Sequence, residues 1–151
     1  MSKEKNPGGF SEDKLNMMNL VAETVNRSPY YHHISMRIVG FTDEGHSKLE
    51  MDVKKEHMNV WNTAHGGALA SILDSACGVA TVPLREGNEN TVTMDMHIKY
   101  FAPVRQGKIT AYGKVAHKGK GYVATEAEAY DEEGNLLGKA YTTHRVRMPK
   151  K

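Results

Sequence analysis

Between Gly66 and Leu84 the chain carries one charged side chain, Asp74. From residue 68 to residue 80 the apolar positions include Ala68, Leu69, Ile72, Leu73, Ala76, Cys77 and Ala80. Pairs repeating every four residues form one continuous stripe on an α-helix. A helix this apolar must be buried, so whatever else the chain forms has to wrap around it. Pro83 is expected to stop the helix. Past a polar turn at 85–90 the period changes to two. Val92, Met94, Met96, Ile98 and Tyr100 then fall on one face, and Thr93, Asp95, His97 and Lys99 on the other, the alternation of a strand.

Three more strand-like segments follow at 108–116, 122–130 and 136–146, joined by residues 118–121 and 131–135. Connections so short make antiparallel neighbours. Upstream, Ser11 can cap a helix whose first turn holds Glu12 and Asp13 and whose apolar residues Leu15, Met18, Val21, Ala22 and Val25 recur at helical spacing. Ser28 and Pro29 are expected to end it. Segments 34–41 and 47–53, separated by Asp43-Glu44-Gly45, read as two short strands. Helix, two strands, buried helix, four strands is an α+β order, an antiparallel sheet wrapped around one central helix. Residues 11–148 form a single domain on this reading. Residues 1–10 read as a flexible N-terminus and 149–151 as a loose C-terminus.

The chain has 151 residues with 20 basic and 18 acidic side chains. So small a net charge argues against a protein that grips nucleic acid through its phosphates. One cysteine, Cys77, excludes an intramolecular disulfide, and its place on the apolar stripe makes it a core thiol. No apolar run reads as a membrane span, and the polar start does not resemble a signal peptide. These features lead us to expect a cytoplasmic protein. The eight histidines show no metal-ligand spacing, and no metal is expected. His32, His33 and His144 read as scattered surface or strand residues.

Two features stand apart from the core. At about 100° per residue Asp74 lies off the apolar stripe, on a strip with Gly67, Ser71 and Gly78. A helical aspartate ordinarily faces solvent. This strip, however, holds no Lys, Arg or Glu, and its small residues allow another surface to approach closely. The second feature is His65-Gly66-Gly67 at the helix start. Two glycines there weaken the helix by about 1 kcal/mol each relative to alanine. They are understandable if a ligand must reach the free N–H groups and positive dipole end, as a carbonyl becoming an oxyanion would. The turn Lys118-Gly119-Lys120-Gly121 could hold a phosphate, although hairpin turns are commonly of this composition.

The segment Asn59-Val60-Trp61-Asn62-Thr63-Ala64-His65-Gly66-Gly67-Ala68-Leu69-Ala70-Ser71-Ile72-Leu73-Asp74 resembles the signature of hotdog-fold acyl-CoA thioesterases. The nearest branch is that of the phenylacetic-acid-degradation and 4-hydroxybenzoyl-CoA thioesterases. Their pattern is an Asn six residues before His-Gly-Gly and an acid nine after that His, matched by Asn59, His65 and Asp74. The run from Thr93 to Pro103 resembles the strand after the helix, and the similarity spans about residues 30 to 147. It implies a hotdog fold whose protomers pair into one continuous sheet, as a homodimer or homotetramer, with active sites at the subunit interface.

It also implies hydrolysis of an acyl or aryl-acyl CoA thioester to the free acid and CoA, without metal or cofactor. By that resemblance Gly66 N–H and Asn59 polarise the carbonyl, and Asp74 is general base or nucleophile. Thr93 helps place the water, and His65 supports the helix start. Gly67, Lys118, Gly119 and Lys120, with Arg105 a further candidate, are expected to bind the substrate. Many relatives have glycine where this chain has Asn62. Some carry a histidine on the last strand, at the position of Thr142 and two residues before His144. A non-catalytic acyl-CoA-binding protein on the same fold is the alternative.

Overall fold

The computed structural model describes residues 7–148. The loose ends expected from the sequence fall, at 1–6 and 149–151, outside the described residues. Within them Pro7–Gly9 form a 3-10 turn, tied down by the Gly8 N–H on the Asp43 carbonyl at 2.8 Å.

Helix α1 (Glu12–Asn26) starts at Ser11, whose Oγ accepts from the Lys14 N–H. It ends at Asn26, earlier than expected. Pro29 does not terminate it but opens a separate short helix, α2 (Pro29–His33), in the first-turn position where a missing N–H does no harm. His32 and His33 are exposed on α2, while Tyr31 is buried. Strands β1 (Met36–Phe41) and β2 (Ser47–Val53) follow as a hairpin. Helix α3 (Gly66–Ala80) comes next, then β3 (Asn90–Tyr100), β4 (Gly107–Lys118), β5 (Tyr122–Tyr130) and β6 (Leu136–Arg147).

The six strands form one antiparallel sheet in the order β1-β2-β4-β5-β6-β3. Helix α3 lies across it, burying Leu69, Ile72, Leu73, Ala76, Cys77, Val79 and Ala80. Ile72 and Leu73 are wholly buried, and each contributes about 1.5–3 kcal/mol by leaving water. Contact is close enough that the Ser47 hydroxyl donates to the Ala76 carbonyl at 2.7 Å. A Cβ on Gly113, on the facing strand, would meet that same carbonyl.

The helix stops at Ala80, before Pro83. Thr81 caps it, its Oγ1 donating to the Gly78 carbonyl at 2.7 Å, and Pro83 sits in the 3-10 turn Val82–Leu84. By length and composition Gly66–Leu84 would suffice to cross a membrane, contrary to the expectation of no such run. Its apolar stripe, however, packs on the sheet as the centre of the core.

One expectation about the sheet fails. The pairing of β3 with β6 slips at Met94: Thr93 faces His144, yet Asp95 faces Thr143. Met94 is the extra residue of a β-bulge, and beyond it the faces exchange. The helix-side set is therefore Thr91, Thr93, Met96, Ile98 and Tyr100, the partners of Val146, His144, Thr142, Ala140 and Gly138. Thr93, expected opposite Met96, shares its side.

Candidate active site

Helix α3 begins with an arrangement that accounts for His-Gly-Gly. His65 is the N-cap residue, and its Nδ1 accepts from the Gly67 N–H at 2.9 Å. A Cβ on Gly67 would stand 3.1 Å from that nitrogen, tighter than nine in ten real contacts; glycine keeps the cap intact. The Ala68 N–H goes to the His65 carbonyl at 2.8 Å. The first-turn amide of Gly66 is left without an acceptor among the described residues, an open donor at the positive end of the helix. Tyr100 lies over it, its hydroxyl donating to the Gly66 carbonyl at 3.2 Å. Beside it opens a cleft of about 320 Å³, lined by Gly66, Leu69, Tyr100, Phe101 and Val104 among others.

The loop before the helix is held by Asn59. Its Oδ1 accepts from the N–H groups of Trp61 and Thr63, and its Nδ2 donates to Thr63 Oγ1 at 2.9 Å. Asn62 has φ of 55°, the left-handed conformation that glycine takes freely and Asn tolerates better than most residues. Asparagine here is thus compatible with the turn for which the resemblance implies glycine.

Asp74 is half-buried two turns further along α3, on the strip with Gly67, Ser71 and Gly78. The Thr93 hydroxyl donates to its Oδ1 at 2.9 Å. Behind Thr93 lies His144, with 1% exposure, its Nδ1 3.4 Å from Thr93 Oγ1. Its Nε2 is 2.7 Å from Thr142 Oγ1 and 3.1 Å from Thr125 Oγ1. Burial holds this imidazole below the ordinary histidine value of 6.5; Arg85 acts in the same direction, and Asp74 and Asp95 oppose it. Sequence reading placed His144 on its strand but missed its burial beside Asp74. The available signal was period two, which puts Thr142 and His144 on the same inward face as Ala140. Cys77 is wholly buried, and desolvation pushes its thiol up to about 11.

Lys118 and Gly119 line a second cavity of about 250 Å³, together with Thr81, Arg85, Glu89 and Thr91 among others. Lys118 Nζ reaches the Leu84 carbonyl at 3.5 Å. Lys120 is exposed and outside this lining, as is Arg105. The cavity's near wall, Thr81, is seven residues past Asp74, about 10 Å along the helix.

Gly66 and Asp74 are eight residues apart on one helix, about 12 Å along its axis. A reacting carbonyl needs its oxyanion donor and its base both within about 3 Å. One chain therefore cannot bring this pair to the same carbonyl. Strand β3 is an edge of the sheet, and large apolar groups are exposed on and near it, with Trp61 76%, Met94 63% and Tyr100 54% accessible. Such an edge is a template for pairing with another chain.

A family model described as the thioesterase superfamily matches residues 62–137. A putative esterase of Saccharolobus solfataricus is 30% identical over 98 residues, 65% of this chain and 69% of that protein. The medium/long-chain acyl-CoA thioesterase YigI of Escherichia coli is 27% identical over 135 residues, 77% of this chain and 87% of its own length. Among solved structures, a thioesterase of Haemophilus influenzae superposes with a TM-score of 0.78 at 21% identity, covering 87% of this chain and 90% of the other.

Proposed function

Because the chain belongs to the thioesterase superfamily, we propose that it is a cytoplasmic acyl-CoA thioesterase, hydrolysing an acyl or aryl-acyl CoA to the free acid and CoA. The observation that carries this reading is the pairing on α3 of an open Gly66 N–H with a half-buried carboxylate held by Thr93. The first is an oxyanion donor and the second a base, and a thioester, already activated, needs little more. The name of the Escherichia coli relative supports an acyl-CoA as the thioester.

The 12 Å between the two groups is bridged by a second copy. With two α3 helices antiparallel across a two-fold axis, Gly66 of one protomer comes beside Asp74 of its partner, and β3 edges join into a continuous sheet. The thioester oxygen accepts from Gly66 N–H and from Asn59, whose amide nitrogen has a second hydrogen besides the one given to Thr63. Asp74 takes a proton from water, which attacks the carbonyl carbon, or attacks that carbon itself. The tetrahedral oxyanion collapses and expels CoA thiolate, which takes up the proton. Water attack leaves the free acid directly, whereas attack by Asp74 leaves an acyl anhydride on its carboxylate that water then hydrolyses to the free acid. Thr93 fixes Oδ1 and leaves Oδ2 for the water. Lys118 and Gly119 lie where the substrate's phosphates would meet positive charge, with Lys120 at the rim. Neither metal nor cofactor has a part in this scheme.

The test is a panel of aliphatic and aryl CoA thioesters assayed for free thiol. Release from at least one, by a dimer or tetramer, is expected. Binding of CoA thioesters without release from any would make the protein a binding module instead.

A further inference from the structure

The buried polar groups behind Asp74 form one connected chain, whose proton directions follow from donor chemistry together with the distances. Thr93 donates its only hydroxyl hydrogen to Asp74 Oδ1. Any hydrogen between Thr93 Oγ1 and His144 Nδ1 must then come from the ring. A neutral imidazole with hydrogen on Nδ1 has a bare Nε2. That nitrogen faces Thr142 Oγ1 at 2.7 Å and Thr125 Oγ1 at 3.1 Å, and the two hydroxyl oxygens are 2.6 Å apart. With the nearer hydroxyl serving the ring, Thr142 donates to Nε2 and Thr125 to Thr142, while Nδ1–H donates to Thr93 and Thr93 to the carboxylate. Every donor in the chain points toward Asp74. The link to Thr93, at 3.4 Å, is the longest of them.

We propose that His144 is a positioning residue for hydrolysis: its Nδ1–H, locked in place by Thr142 and Thr125, keeps the Thr93 hydroxyl aimed at Asp74 and so holds that carboxylate in one orientation. This rests on Asp74 being the catalytic carboxylate. His144 itself does not touch the substrate. Without the ring hydrogen, Thr93 Oγ1 is free to rotate its hydrogen to other acceptors, and Oδ1 loses its only side-chain hydrogen bond among the described residues. A fully buried histidine with both nitrogens engaged is held rigidly enough for the task. The charged and titratable groups facing it are Asp74 and Cys77 on α3, Arg85 beyond the helix end and Asp95 on β3.

Two replacements separate positioning from packing. Gln at 144 places its amide near the Nε2 position, keeping the threonine contacts while removing the donor to Thr93. Asn places an N–H near Nδ1. For His144→Gln, kcat toward the best CoA thioester should fall about five- to tenfold at unchanged KM, the loss of one net hydrogen bond. His144→Asn should recover most of it. In a Thr93→Val background, His144→Gln should cause no further fall, because the link it cuts is already gone. Equal losses for Gln and Asn, or losses that multiply with Thr93→Val, would mean a purely structural histidine and overturn the proposal.

The ring nitrogens give a readout that needs no turnover. In the wild-type oligomer, ¹⁵N resonances of His144 should show a neutral Nδ1–H tautomer at pH 7, and an Nε2–H tautomer would overturn the assigned directions. If the wild type hydrolyses no thioester, the thioesterase reading falls, while the tautomer still decides the hydrogen-bond chain.

Discussion

Replacing Asp74 by Asn is the perturbation that bears most directly on the chemistry, because it removes charge and basicity with almost no change of shape. The new amide oxygen still accepts from Thr93 at the position Oδ1 occupies, 2.9 Å away. What changes in the folded state is one charge-assisted hydrogen bond becoming neutral, about half as strong. On a half-exposed side chain off the apolar stripe that is about 1 kcal/mol at most, or a Tm shift of about 2–4 °C for a domain of this size. The barrier is another matter. General base catalysis contributes about 10²–10⁴-fold, or about 2.7–5.5 kcal/mol at 1.36 kcal/mol per tenfold. The kinetic loss should therefore exceed the stability loss by a wide margin.

The assay is thiol release under saturating CoA thioester, with circular dichroism and light scattering to show that the variant is folded and assembled. A further expectation follows from the 12 Å between Gly66 and Asp74. Asn59→Ala should be impaired on its own, like Asp74→Asn. Unfolded together and refolded, the two inactive proteins should regain about a quarter of wild-type sites, since half the dimers are mixed and each mixed dimer has one intact site. Sites lying within single chains would regain nothing. A folded, assembled Asp74→Asn with full kcat would refute the catalytic assignment outright.

Lys118→Ala should raise KM for CoA thioesters and leave short non-CoA thioesters unaffected, with Lys120→Ala weaker, because only Lys118 lines the cavity that contains Arg85; steady-state kinetics on both substrates decides. Stability should fall as pH drops below 6.5. His144 is held below that value by burial, so between the two values the unfolded chain binds a proton that the folded one refuses. Urea unfolding across pH 5–7 should show this slope, flatter in His144→Gln; an unchanged slope in that variant would place the proton elsewhere.

The core of the fold was legible because it depends on periodicity. The stripe from Ala68 to Ala80 and the alternation in β2, β4, β5 and β6 follow from which faces must leave water. Helix α2 was not legible: Pro-Tyr-Tyr-His-His has neither a stripe nor charge to betray a single turn, and tertiary packing of Tyr31 supports it. Of the site, the helix strip with Asp74 and the glycines at the helix start could be read from spacing, and their family resemblance supplied roles. The support behind them could not, since Thr125, Thr142 and His144 come together only once β5 and β6 are in register.

The bulge at Met94 shows why that part resists sequence reading. From Val92 to Tyr100 the alternation is unbroken, so nothing in the pattern marks the place where the pairing slips. In an unslipped strand carrying Met96, Ile98 and Tyr100 on the helix side, Met94 would face Asp74 and Thr93 would face away from it. A half-buried carboxylate would then meet a thioether, a poor partner, instead of a hydroxyl. One inserted residue reverses this while keeping Ile98 against the core and Tyr100 over Gly66. The slip is favoured by the very contacts it creates, Thr93 with Asp74 and His144, and Thr91 with Thr81 at 2.9 Å. Local alternation fixes the strand; the polar groups of the site fix which of its faces turns inward at each end.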